Sequence, residues 1–453
     1  MSLSIIILAA GQGTRMHSDK PKVLHTLAGR PLLTHVYNTA VSLDSSKIHI
    51  VYGHGGEQVP KTCHEFKATW VQQEQQLGTG HAVQQALPEV SGSDDVLILY
   101  GDVPLISQQT LNALLAAADT GFSLLTAKLD EPKGYGRIIR DEKNNVTAIV
   151  EEKDASEEQK KVDEINTGFM CVKGELLKKW VNLLNNENAQ QEYYLTDIVE
   201  LAVKDEVNVV PVSVSSIEEV QGINTRAQLA NAERYYQLEQ ANTLMEKGVG
   251  LIDPGRFDLR GELQVGRDTE IDINVVIEGN VKLGNNVSIG ANCYLKDSVI
   301  ADNVHVLPNT MIDNAKIGNG CRIGPFARIR PDTSLAEDVH IGNFVELKKT
   351  EVANGSKVNH LTYLGDSIIG SETNIGAGTI TCNYDGANKH QTQIGDDVFV
   401  GSDVQLIAPV KINNGATIAA GTTITKDVAE NELAITRSDQ KSIPKWKRPR
   451  KKK

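Results

Sequence analysis

No run of apolar residues in this 453-residue chain approaches the length of a membrane-spanning helix, and Met1–Leu8 leads straight into a glycine loop instead of a cleavage site. Neither a bilayer span nor a secretory leader is expected. Cysteine is scarce: Cys63, Cys171, Cys293, Cys321 and Cys382 are scattered, odd in number and show no C-x-x-C pairing. Reduced thiols in a cytoplasmic protein are the simplest account. Positive charge is also short. Lysine and arginine number 46 against 58 aspartates and glutamates, a formal net charge of -12. That argues against nucleic acid or an anionic membrane as a partner. The exception is the basic end Lys445–Lys453, which reads as a solvated tail. A hydrophobic content of 40% and a charged content of 23% are ordinary for a globular chain, and the length predicts two or three domains.

What the chain has instead is a beat. Ile317, Ile323, Ile329, Leu335, Ile341 and Leu347 put an aliphatic residue at every sixth position, often followed by glycine. The same spacing runs through Val265, Ile271, Ile277, Leu283, Ile289 and Leu295, and returns from Ile369 to Ile424. Valine, isoleucine or threonine often sits four residues later, as at Val281, Val339, Val345, Thr379 and Val398. A fixed short period is the signature of a solenoid. Six fits neither an amphipathic helix nor an alternating strand. It fits short strands joined by tight turns, three hexads to a coil, with the aliphatic residues in a stacked interior column. The register slips to five at Leu295–Ile300, Ile312–Ile317, Leu347–Val352 and Leu364–Ile369. It breaks between Thr381 and Gln393, where extra residues must bulge out as a loop. At about 4.8 Å per coil, some nine coils make a prism roughly 40 Å long. The element is a parallel β-helix.

The N-terminal half reads differently. Leu3–Leu8 has the continuous apolar character of a buried parallel strand and opens onto Ala9-Ala10-Gly11-Gln12-Gly13-Thr14-Arg15-Met16. Two glycines at a strand end let backbone N–H groups approach a phosphate, and Arg15 and Lys22 add positive charge. Met16 stands where the third glycine of G-x-G-x-x-G belongs, so the spacing alone also suits a plain strand-to-helix turn. Strands at Ile48–Tyr52 and Val96–Tyr100 alternate with helical stretches at Pro31–Leu43 and Gln108–Ala118. This is the βαβ rhythm of a doubly wound, Rossmann-like α/β domain. Ligands of such sheets sit beyond the C-terminal strand ends, where Tyr100-Gly101-Asp102 lies. A carboxylate there is either a Mg²⁺ ligand or a turn aspartate, and the neighbouring glycine loop favours the metal. Gln73 and Leu77-Gly78-Thr79-Gly80 form a second polar turn. A helix is predicted from Arg226 to Lys247, opened by a capping box Thr225-Arg-Ala-Gln228 and closed by Gly248. Tyr235, Leu238, Ala241 and Met245 are its expected apolar stripe.

The stretch LAAGQGTRMHSDKPKVL, residues 8–24, resembles the signature loop of sugar-nucleotide pyrophosphorylases, which cradles a nucleoside triphosphate. The hexads resemble the left-handed β-helix of hexapeptide-repeat acyltransferases; the handedness comes from that likeness alone. Asn359-His-Leu-Thr-Tyr363, Asn374-Ile-Gly-Ala377 and the insertion Thr381–Lys389 extend the likeness along nearly the whole chain. It is similar to the bacterial family of bifunctional N-acetylglucosamine-1-phosphate uridylyltransferases/glucosamine-1-phosphate N-acetyltransferases. Gln12 departs from that pattern, where lysine is common.

The resemblance implies a uridylyltransferase domain over residues 1–226, a linker helix over 227–248, a β-helix acetyltransferase domain over 249–436 and a basic tail over 437–453. It assigns Leu8, Ala9, Ala10, Gly11, Arg15 and Lys22 to the triphosphate and Gln73, Gly78 and Thr79 to the base. Tyr100, Gly101, Gly136, Glu151 and Asn166 complete the UTP and sugar site, and Asp102 and Asn224 hold Mg²⁺. In the second half it makes His360 the base that takes a proton from a sugar amine attacking a thioester. Arg330, Lys348, Tyr363 and Asn374 would hold glucosamine 1-phosphate. Ala377, Asn383, Tyr384, Ser402, Ala420 and Arg437 would line the acetyl-coenzyme A groove. A homotrimer and a supply of precursor for peptidoglycan and lipopolysaccharide follow from the same likeness. Two other readings stay open: a one-reaction nucleotidyltransferase whose solenoid serves assembly, and a non-catalytic subunit that keeps both folds as binding modules.

Overall fold

The computed structural model describes residues 2–11, 13–44, 47–53, 56–214 and 216–451, with the side chain of Thr120 excluded. Gln12, the departure noted above, lies outside them. The chain forms two compact units, Met1–Tyr236 and Gln237–Lys453. Among the described residues no helix is long and apolar enough to cross a membrane.

The main sheet of the first unit has nine strands among the described residues: β1 (Leu3–Ala9), β2 (Lys47–Tyr52), β3 (Thr69–Gln72), β4 (Asp95–Tyr100), β5 (Phe122–Lys128), β6 (Arg137–Arg140), β7 (Val146–Val150), β8 (Glu164–Lys173) and β9 (Val209–Ser213). The main path runs β9-β5-β8-β4-β1-β2-β3, with β6 and β7 as a hairpin attached to β8. β1 lies inside it, parallel to both its neighbours β2 and β4. Ile5 and Ile7 point into one core, packed by Leu33, Val36, Leu111 and Leu114 from helices Leu32–Val41 and Gln108–Ala116. Ile6 and Leu8 point into the other, packed by Val83, Leu177 and Ile198 from helices Thr79–Ala86, Gly174–Val181 and Ile198–Lys204. Along its main path the predicted doubly wound sheet is present with one exception: β8 runs antiparallel to β4 and β5. A parallel neighbour needs a crossover, whereas β8 arrives from a hairpin and so enters reversed.

In the second unit, eleven strands from Gly250–Leu251 to Leu433–Ala434 stack on one face. The other two faces join into one fifteen-stranded sheet, because strands such as Val275–Leu283 and Tyr363–Ile369 run round a corner. Strand pairing fixes the coil length. Ile271 pairs with Ile289, 18 positions on, and Ile289 with Val306, 17 on. All four five-residue slips fall in such shortened coils. The break after Thr381 lengthens one coil to 25, since Ile375 pairs with Val400. The predicted column is the core: Ile277, Leu295, Ile312, Ile323, Leu347, Leu364, Val400 and Ile418 are each fully buried. Eleven strands exceed the expected nine coils because Gly250–Leu251 and Leu433–Ala434 pair without carrying the hexad. Asn and Asp hold the tight corners, with φ of 54° at Asp268, 55° at Asn286 and 59° at Asn303; their short side chains tolerate the left-handed region.

The long helix spans Arg226–Glu246. Its capping box is reciprocal: Thr225 N–H donates to Gln228 Oε1 at 3.0 Å, and Gln228 N–H to Thr225 Oγ1 at 3.2 Å. Gly248 closes it at φ 92°. The expected stripe is corrected, since Leu238 is 42% exposed and the buried positions are Ala232, Gln237, Ala241 and Leu244. Apolar periodicity missed the pattern because one buried position is a glutamine. Leu259 N–H donates to Gln237 Oε1 at 2.7 Å, and Gln237 Nε2 donates to Leu259 O at 3.0 Å. Gln237→Ala orphans both groups and is expected to cost about 2 kcal/mol locally. Hydrogen exchange at the Leu259 amide should accelerate roughly thirtyfold.

Candidate functional site

A cavity of about 490 Å³ opens beyond the C-terminal ends of β1 and β4. Leu8, Ala9, Ala10 and Gly11 form its floor, with Arg15 and Lys22 beside them. Gly13 lies at φ 64°, and a Cβ there would stand 2.7 Å from Lys22 Cβ, so glycine lets the lysine close against the loop. Gln73, Gly78 and Thr79 line another wall. Gln73 is buried, its Nε2 donating to Gly78 O at 3.2 Å and meeting His81 Nδ1 at 2.9 Å. Gly78 sits at φ 111° against Tyr193, whose backbone oxygen would lie 2.6 Å from a Cβ.

Tyr100, Asp102 and Asn224 close the cavity. The Lys22 ammonium contacts Asp102 Oδ2 and also donates to Asn224 Oδ1 at 2.9 Å. Two oxygens from segments 122 positions apart in sequence thus converge on one positive charge. One carboxylate and one neutral amide oxygen are hard donors suited to Mg²⁺, which takes few protein ligands and completes its shell with water and substrate phosphate. The residues fit the ion; among the described residues no cluster of three or more His, Cys, Asp or Glu would hold a metal independently.

Gly101, Gly136, Glu151 and Asn166 are not among the residues that line this cavity. Gly101 is a packed turn, its N–H donating to Leu8 O at 2.9 Å. The other three gather together. Asn166 N–H donates to Gly136 O at 2.8 Å, a Cβ on Gly136 would lie 3.3 Å from Glu151 Oε1, and Thr196 Oγ1 donates to the same oxygen at 3.2 Å. Buried Arg137 fixes the segments bearing them, bonding Tyr135 O and, at 2.7 Å, Glu152 Oε2. Burial, with Asp154 and Glu192 nearby, raises the Glu151 carboxyl. Glu192 lines the cavity and went unforeseen, because a lone glutamate in a polar stretch gives no signal.

In the second unit, His360 Nδ1 lies 2.8 Å from Asn343 Oδ1. An amide oxygen only accepts, so Nδ1 carries the proton and Nε2 keeps its lone pair as a base. Arg330 donates to Glu346 Oε1 at 2.6 Å, and Glu346 pairs across the sheet with Tyr363. Lys348 is lowered chiefly by the adjoining Lys389 and also by Arg330, which marks a concentration of positive charge. Asn374 sits on the face leading into the His360 corner, paired with Lys357 and Phe399. Among the described residues no hydrogen bond joins His360 to Arg330, Lys348, Tyr363 or Asn374. Ala377, Ser402 and Ala420 continue the His360 corner from coil to coil. Gly378 N–H donates to His360 O at 3.3 Å, Asp403 N–H to Ala377 O at 2.7 Å and Gly421 N–H to Ser402 O at 2.8 Å. Arg437 caps this column, its guanidinium donating to Ala420 O at 3.0 Å. In the insertion, Asn383 Nδ2 donates to Asp366 Oδ2 at 2.6 Å and Tyr384 Oη to Gly386 O at 2.6 Å. Asn343, Glu346 and Lys389 were not foreseen as site residues.

Residues 5–148 match the model of the MobA-like NTP transferase domain. Residues 259–343 and 323–434 match, in two overlapping copies, the GMPPB C-terminal domain. A crystal structure of a Bacillus anthracis protein assigned as a glucose-1-phosphate thymidylyltransferase, in complex with sucrose, is 18% identical over 51% of this chain and 94% of that one. Its TM-score of 0.41 is too low to bear an argument. The N-terminal unit is a nucleotidyltransferase domain, and the C-terminal unit is a parallel β-helix.

Asp197, near Glu151, is pushed up to about 6 by burial and by Glu200, Glu151 and Asp154. Its folded value lies above the ordinary one, so ionising it costs the folded state. That cost is absent below about pH 4 and grows as pH rises through 6. Asp197→Asn should therefore stabilise the first unit by about 1–2 kcal/mol at pH 8, after allowance for solvent screening. Calorimetric melting should show no gain at pH 4.

Proposed function

We propose that the chain makes UDP-N-acetylglucosamine in two steps. In the first, the amine of glucosamine 1-phosphate attacks the thioester carbon of acetyl-coenzyme A; an amide bond forms, the thiolate leaves and His360 takes the amine proton. Arg330, Lys348 and Lys389 hold the sugar phosphate, and the Ala377–Ser402–Ala420 column with Asn383, Tyr384 and Arg437 holds the coenzyme. In the second, a phosphate oxygen of N-acetylglucosamine 1-phosphate attacks the α-phosphorus of UTP and pyrophosphate leaves. Arg15 and Lys22 face the triphosphate, Gln73 and Gly78 the base, and Gly136, Glu151 and Asn166 the sugar. Mg²⁺, when held by Asp102 and Asn224, supplies charge neutralisation. The acetyl site belongs to a cytoplasmic homotrimer, each groove being shared between neighbours, and the product feeds peptidoglycan and lipopolysaccharide synthesis.

The observation that carries the bifunctional reading is the second site. A histidine whose Nδ1 is held by Asn343 stands at a corner of the solenoid, and Arg330 and Lys348 on the preceding coils, with Lys389 from the insertion, gather positive charge near the face that follows, an arrangement that assembly alone does not require. The other reading is a nucleotidyltransferase whose solenoid only assembles it. Coenzyme A release from acetyl-coenzyme A with glucosamine 1-phosphate decides between them, and a flat trace supports the second.

His360→Ala is expected to cut acetyl transfer about a hundredfold or more while sparing uridylyl transfer. Asp102→Ala should do the reverse, abolishing pyrophosphate release with acetyl transfer intact. Asn343→Leu removes the acceptor that fixes the His360 tautomer; acetyl-transfer kcat should fall about tenfold with an altered pH profile and the KM for glucosamine 1-phosphate nearly unchanged.

A further inference from the structure

Resting on the assignment of Asp102 and Asn224 as metal ligands, we propose that Lys22 and the metal ion compete for one position, and that nucleotide binding moves the lysine out. The Lys22 ammonium is bonded to both oxygens the ion needs. The side chains of Lys22 and Asp102 are only 11% and 17% exposed, so the pair is poorly screened. A cation entering alone must break this pair and strand a largely buried ammonium beside itself, which like-charge repulsion opposes. A triphosphate changes the balance. Its oxygens accept the displaced ammonium, so the cation gains Asp102 and Asn224 while Lys22 gains phosphate. The free protein therefore binds metal weakly, and metal and nucleotide bind with positive coupling that is reciprocal by linkage. Lys22 is then a positioning residue before the reaction and a phosphate ligand during it. Its reach across the cavity depends on Gly13, the only residue type that leaves room for its stem at that approach.

Binding of Mn²⁺ alone, followed by electron paramagnetic resonance on the full chain, tests this. Wild type should bind weakly, and Lys22→Met at least ~10-fold more tightly, since the competitor is gone. Arg15→Met deletes the same charge from the same cavity without touching Asp102 or Asn224, and should change affinity less than ~3-fold. Equal gains in the two variants, or none in Lys22→Met, would overturn the exchange. The metal assignment is tested separately by Lys22→Met/Asp102→Asn: undiminished Mn²⁺ binding there would refute Asp102 as a ligand, whereas loss of binding with no gain in Lys22→Met refutes only the exchange. A measurement on wild type is independent of any folding defect. Millimolar Mn²⁺ should accelerate modification of Lys22 by trinitrobenzenesulfonate, mapped by mass spectrometry against Lys20, and an unchanged ratio would overturn the proposal.

Discussion

Backbone pairing from one coil to the next, at a register held by an aliphatic column, is the constraint on which the second unit depends. Between Ile271 and Ile418 the register admits 17, 18 and, once, 25 residues per coil, yet each departure returns the next aliphatic residue to the interior. That tolerance follows from where the slack lies. A corner absorbs a missing residue, and the long insertion leaves and rejoins the stack between Thr381 and Thr392, both buried. A side chain placed at a corner is thereby repeated in space at each coil, which is how His360, Ala377, Ser402 and Ala420 come to lie in one line though spread over 60 positions of sequence.

The first unit solves a different problem with the same economy of position. Strand β1 ends where three separate segments arrive, and the side chains that meet there are short-range neighbours only through the sheet. The loop after β1 brings Arg15 and Lys22, the turn after β4 brings Asp102, and the segment before the long helix brings Asn224. Their chemistry is sparse: one carboxylate, one amide and two cations. Sparse protein donors suit a reaction in which a triphosphate and its ion carry most of the charge and the protein contributes placement.

Much of this was legible in the chain. The hexad located the core of the second unit almost residue by residue, because burial in a β-helix depends on one period and little else. The glycine loop and Asp102 were legible because a strand end fixes where they must lie. Asn343 illustrates what was missed and did not have to be. It precedes His360 by 17 positions, one shortened coil, so the period that found the core also predicts this neighbour. Lys389 was harder, since its position depends on the path of an irregular loop. The antiparallel β8 and the buried Gln237 were invisible for a common reason. Each is set by a tertiary partner, a hairpin in one case and a strand edge in the other, and neither leaves a periodic trace.

That glutamine has a wider meaning. Phe257–Val265 is the terminal strand of its ladder, paired on one side only, and such an edge is a template on which foreign strands grow. A side-chain amide carries one donor and one acceptor in the same arrangement as a peptide unit, and at Leu259 it occupies the unpaired rim as a decoy residue. A strand approaching that edge at Leu259 must first displace the glutamine, and the helix that carries it also packs Ala241 and Leu244 into the solenoid core.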